Sequence, residues 1–214
     1  MKVVLDHLDV FADGIRTTVS LTLLAFALAL LIGTTVAACR VSPVPPLRAV
    51  GAFYVQTVRN TPLIVLFLLF FFGLTKVGIR FGFFTTAVVV LGGYTGAFVA
   101  ETVRSGINSV AQGQAEAARS LGLTFPQLLS LIVLPQAFRT VVAPLGNLFI
   151  ALTKNSSIAS AIGVAELSFQ ADKLAVDSAR PVPVLLGAAV AYLVLTLPSG
   201  WAVGAIERRV SIRR

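Results

Sequence analysis

With 214 residues, 57% of them hydrophobic and only 12% charged, the chain is more apolar and less charged than a soluble domain, where about 45–50% and about 25% are usual. That composition describes one membrane domain, residues 1–214, because five spans of about 20 apolar residues with their loops use nearly the whole length. One cysteine and one histidine cannot form an internal disulfide or a zinc, haem or iron–sulfur ligand set, so no metal site is expected. The net charge of +8 is scattered between apolar runs and in a tail, the pattern of cytoplasmic anchors rather than of a nucleic-acid surface.

Residues 17–39, between Arg16 and Arg40, carry no charge and form a first span. Asp6, Asp9 and Asp13 stand where a secretory signal needs basic residues, which favours a retained span over a cleaved leader. A second span, residues 49–74, is interrupted by Arg59, Asn60, Thr61 and Pro62, which place a charge, an amide, a hydroxyl and a helix breaker at membrane depth. Two readings compete there: the cluster faces a protein interior or water path, or Arg59 snorkels to the headgroups. The third span, residues 81–101, follows a glycine-rich turn and ends at Glu101 and Arg104, three apart and so neighbours on one helical face. An internal ion pair competes there with a cargo contact by Glu101.

Between Arg119 and Arg139 lies another uncharged stretch, but Gly122, Pro126 and Pro135 predict short surface helices rather than a span. The fourth span, residues 138–153, contains Pro144 and Gly146 and breaks at Lys154, Asn155, Ser156 and Ser157; such an interrupted helix points to a transport site. The fifth span, residues 181–206, precedes Arg208, Arg209, Arg213 and Arg214. Those arginines predict a cytoplasmic C-terminus, and five spans then put the N-terminus outside. His7, Trp201 and Phe70 to Phe72 read as interface anchors and lipid-facing packing. The unpaired set of spans, with no internal repeat, predicts one half of a larger assembly.

The most informative segment is residues 113–139. Ala115, Glu116, Ala117 and Ala118 favour a helix, Gly122 can end it at positive φ, and Pro126 can open the next. Small residues would let this helix enter a groove of a partner while Glu116 and Arg119 form hydrogen bonds there; an ordinary amphipathic connector is the alternative. The run "EAARSLG" followed by "IVLPQAF" resembles the EAA loop of permease subunits of bacterial ATP-binding-cassette importers. "RNTPLIV", "GAFVAETVRSGI" and "LTKNSSIASAIGVAEL" resemble the polar-amino-acid branch, and the wording is most similar to glutamate uptake permeases of actinobacterial type. Asn60, where many members have Gly, is the glutamate-type spelling.

The resemblance implies an all-α integral membrane protein of the type I importer permease kind. It implies five transmembrane helices, a cytoplasmic coupling loop at about residues 105–137 and a place in the bacterial cell membrane. It implies a cytoplasmic ATPase dimer, a second permease that is related but different, and an extracytoplasmic substrate-binding protein. Residues Ala115, Glu116, Ala117, Ala118, Arg119 and Gly122 would couple to the ATPase. The resemblance implies that hydrolysis of ATP-Mg takes place on that partner, a division that the lack of a phosphate-binding "GxxxxGK[ST]" loop does not contradict, and that this chain binds no cofactor and carries no catalytic residue. A glutamate cargo would need complementary groups at membrane depth, for which Arg59, Asn60, Thr61, Glu101, Lys154, Asn155, Ser156 and Ser157 are the candidates. The alternative, an autonomous small-solute channel or carrier, has no use for a coupling loop.

Overall fold

The computed structural model describes residues 2–210, and the regular elements among them are all helices. A short α1 (Lys2–Leu5) leads into α2 (Leu8–Val41). This helix begins well before the expected residue 17, because Asp9, Asp13 and Arg16 continue it as a polar extension, with an exposed Asp13–Arg16 pair at 3.3 Å. The expected span 49–74 is two helices, α3 (Pro45–Arg59) and α4 (Leu63–Lys76), bent by 105°. Asn60 caps α3, and Pro62, which has no N–H to donate, stands just before α4. The pair counts as one span only as a bent unit; four other helices, or continuous helical runs, are long and apolar enough to cross by themselves.

Helix α5 (Phe83–Asn108) runs past Glu101, so the connector that follows starts later than residue 105. Helix α6 (Gln112–Ser120) ends in a Schellman turn: the Gly122 N–H donates to the Arg119 carbonyl and the Leu123 N–H to that of Ala118, with Gly122 at φ +80°. Thr124 and Gln127 then form a capping box for α7 (Phe125–Leu128).

From here the structure departs from the expectation of short pieces and of a fourth span confined to 138–153. Helix α7 passes through a π turn (Leu129–Val133) into α8 (Leu134–Asn155) and a 3₁₀ segment (Ser156–Ile162), a continuous run from Phe125 to Ile162. Pro135 lacks an N–H and its ring would meet the carbonyl one turn back. The chain widens instead of stopping, and the Leu134 N–H reaches back to the Leu129 carbonyl. Pro144 is likewise absorbed inside α8. The run ends at Gly163, φ +89°. Helix α9 (Leu167–Ser178), which the hydropathy pattern did not indicate, precedes α10 (Pro181–Val210). Of the arginine tail, Arg213 and Arg214 lie outside the described residues.

Helices α2 and α5 form the most extensive contact, α8 packs on α5 and α10, and α9 on α2 and α10. Lipid is as apolar as leucine, so close approach rather than exclusion from water holds membrane helices together. Small residues supply it. On α2, Ala25, Ala29, Gly33 and Ala37 are buried at one-turn spacing, and a Cβ at Gly33 would lie 2.4 Å from Val99 Cγ1 and 2.8 Å from the Gly96 carbonyl of α5. Leu21, Phe67, Leu91 and Leu152 fill the centre between α2, α4, α5 and α8.

Candidate functional site: a carboxylate among three arginines

The small-residue stripe on α2 continues to Arg40, and the closeness of the two helices brings that guanidinium to Glu101 of α5, with which it is hydrogen-bonded. Arg104 Nη2 donates to the other oxygen, Glu101 Oε1, at 2.5 Å, so the pairing expected from their spacing is present. Helix α3 is pressed against Arg40 through Gly51, whose Cβ would lie 2.7 Å from Arg40 Cγ. The last residue of α3, Arg59, then stands 3.9 Å from Glu101 Oε2, with its guanidinium carbon 5.1 Å from the centre of the Phe98 ring. Three cations thus surround one carboxylate. Arg40 and Arg104 are engaged by it directly, while Arg59 is held at longer range and half exposed. The Arg104 Nε is buried without a hydrogen-bond partner.

A cavity of about 380 Å³ opens beside this group, lined by Arg40, Gln56, Arg59, Asn60, Phe98 and Glu101. The Asn60 amide nitrogen donates to the Gln56 carbonyl at 2.7 Å, which leaves its own oxygen as an acceptor. Glu101 also lines a second cavity of about 260 Å³, whose far wall is Thr140, Val141 and Pro144 of α8. Phe98 separates the first from a third, of about 190 Å³, which contains Asn155.

Among the residues singled out in the sequence, Arg59, Asn60 and Glu101 therefore meet, and Asn155 lies across Phe98. The others stand apart from this group. Thr61 Oγ1 donates to the Thr57 carbonyl, Ser156 is buried and donates to that of Thr153, Ser157 donates to that of Lys154, and the Lys154 side chain is exposed. Arg40 was missed as a site residue because it reads as a cytoplasmic anchor at the end of a span; the period-four stripe Ala25, Ala29, Gly33, Ala37 is the signal that points it inward.

Glu166 was also missed. It is fully buried, and its carboxylate accepts the Ser168 and Phe169 N–H groups at 2.9 and 2.8 Å, capping α9, and the Tyr192 hydroxyl at 2.8 Å. Thr18 Oγ1 accepts the neighbouring Leu167 N–H at 3.1 Å. This knot ties α9 to α2 and α10. Desolvation holds the Glu166 carboxyl above the usual carboxylate range, against the pull of its three donors.

At the other candidate segment, α6 presents Glu116, Ala117 and Arg119 to solvent, with Ala115 half-buried and Ala118 turned inward. Beside its terminal turn Leu121 is 81% and Phe125 69% exposed, an apolar pair left open at the tip of a connector.

The family described as "Binding-protein-dependent transport system inner membrane component" matches residues 17–212. A probable glutamine ABC transporter permease protein of Bacillus subtilis is 39% identical, covering 98% of this chain and 97% of its own. The glutamate transport system permease protein of Corynebacterium glutamicum is 42% identical, with 92% of each chain covered. Among solved structures, an amino acid ABC transporter crystallised with histidines superimposes with a TM-score of 0.92 at 36% identity, over 96% of each chain.

Proposed function

Because the chain belongs to the family of binding-protein-dependent transport system inner membrane components, we propose that it is the membrane-spanning half of an ATP-driven importer for a polar amino acid carrying a side-chain carboxylate, glutamate foremost. The observation that carries the cargo class is the charge around Glu101. Arg40, Arg59 and Arg104 outnumber the one carboxylate they face, so the cavity beside them holds surplus positive charge, which suits an anion that lipid would strongly disfavour. Arg59 offers a planar pair of donors to the side-chain carboxylate, and the Asn60 oxygen can accept from the cargo ammonium.

The exposed face of α6 and the apolar pair Leu121 and Phe125 support docking onto a cytoplasmic ATPase dimer, which would hold ATP-Mg and perform hydrolysis. A second, related permease would close the cavity, and an extracytoplasmic binding protein would deliver cargo. The N-terminus lies outside and the C-terminus, with Arg208 and Arg209, in the cytoplasm of a bacterial cell. Affinity purification of the tagged chain in mild detergent tests this reading. The wild type should bring an ATPase and a second permease, and the Glu116→Lys, Gly122→Asp variant should lose the ATPase while keeping the permease. A chain that purifies without an ATPase refutes it.

A further inference from the structure

Helix α6 touches the remainder of the chain chiefly through α7 and the π turn. One side chain bridges that contact. The Gln136 amide nitrogen donates to Gln114 Oε1 of α6 at 2.6 Å and to the Ile132 carbonyl inside the π turn at 3.0 Å. One residue further along α8 begins a rigid contact with α5: a Cβ at Gly106 would lie 2.2 Å from Val141 Cγ1 and 3.2 Å from the Ala137 carbonyl. Val141, in turn, is a wall of the cavity that Glu101 also lines. A π turn is a helix turn with an extra residue, so it can change register without breaking the rod, and such turns recur at functional sites.

We infer that Gln136 is the positioning residue that fastens α6 to the π turn, so that displacement of α6 is delivered to α8 and to the Glu101 cavity instead of being absorbed in the Gly122 turn. This rests on the proposed coupling role of α6. The bond is exposed and neither partner lines the cavity, so losing it should leave assembly and fold intact and alter only how motion is passed on.

The test uses the whole complex, with its ATPase and second permease, in vesicles loaded with ATP and supplied with binding protein and labelled glutamate. Uptake and phosphate release are read from the same vesicles for the wild type, Gln136→Met, Gln114→Met and the double variant. The expected result is unchanged basal ATP hydrolysis and a ratio of cargo moved to ATP consumed that falls roughly fivefold, the low end of known coupling effects. The fall in Gln136→Met should be at least that in Gln114→Met, and that in the double variant no greater than in Gln136→Met, because Gln114→Met removes only the bond between the helices while Gln136→Met also removes the one to Ile132. A wild-type ratio in Gln136→Met, or losses that add in the double variant, overturns the assignment of Gln136 while leaving the functional reading intact. A wild-type complex with no cargo-linked hydrolysis overturns both.

Discussion

Replacing Arg59 by Gln separates an anionic cargo from its neutral amide analogue. Arg59 is the cation least committed to Glu101, at 3.9 Å, whereas Arg40 and Arg104 are hydrogen-bonded to it. A hydrogen bond from a charged group is worth about 1.5–3 kcal/mol, and a neutral one about 0.5–1.5 kcal/mol. The Arg59 side chain is 40% exposed, so water screens it and the lower part of the first range applies. The variant should then bind glutamate roughly ten- to thirtyfold more weakly, and glutamine only about two- to fivefold, at a factor of ten per about 1.4 kcal/mol. The stacking on Phe98 is lost in both cases and cancels from the ratio. Binding of each labelled amino acid to the detergent-solubilised complex, without the binding protein, gives the two constants directly. Repeating it at higher ionic strength should shrink the difference, because about 8 Å of screening length at physiological salt becomes shorter still. Equal losses for both cargoes, or none, would refute the claim that surplus charge in this cavity selects the anion.

Gly33→Ala should lower the complex's stability by about 1–3 kcal/mol, since its Cβ meets the Gly96 carbonyl as well as Val99; thermal unfolding in detergent measures it, and an unshifted melting temperature would contradict the packing of α2 on α5. Gly122→Ala meets no atom within 4 Å but must hold φ +80°, so a cost of about 1–2 kcal/mol at the α6 turn is expected, with Gly122→Asn costing less. Proteolysis in the 121–124 turn reads that order, and equal cleavage of the two variants would oppose it. For Glu166 the folded-state carboxyl holds its proton more tightly than the unfolded one. Its contribution to stability is therefore complete below the ordinary value of 4.5 and is lost as pH rises through the raised folded value. Melting temperature should fall with pH across that window in the wild type, and less steeply in Glu166→Gln; identical slopes would exclude the buried carboxyl as their source.

The all-helical membrane architecture was legible in the sequence because charge-free stretches of bilayer length have few alternatives, and the α6 turn because Gly122 can adopt a backbone conformation that other residues resist. The region after Pro126 was misread for an instructive reason. Proline breaks a regular α-helix, yet Pro135 follows a π turn that removes the clash, and packing against α5 and α10 keeps the rod intact. Local rules register the breaker but not the tertiary contacts that make a distorted turn cheaper than an end. Helix α9 escaped for the opposite reason. It is too short and polar to show in a hydropathy profile, and Glu166, which starts it, is identified as a cap only by the N–H groups it accepts.

Arg40 illustrates a limit of reading charges one at a time. As a lone cation after an apolar run it satisfies the anchor pattern, and nothing in its immediate neighbours argues otherwise. Its role depends on separation between helices: had α2 carried leucines in place of Ala29, Gly33 and Ala37, the two axes would stand farther apart and the same guanidinium would not reach Glu101. The small residues thus set the electrostatics of the cavity although none of them lines it. The same carboxylate that gathers the arginines also borders the cavity walled by α8, so a shift of α8 alters the space beside Glu101 without breaking its contacts to α2. On the proposed function, cargo charge and helix movement meet at one side chain, and Glu101→Gln should therefore disturb anion preference and ATP-linked transport together, whereas Arg59→Gln should disturb the first alone; uptake per ATP measured for both variants decides between these outcomes.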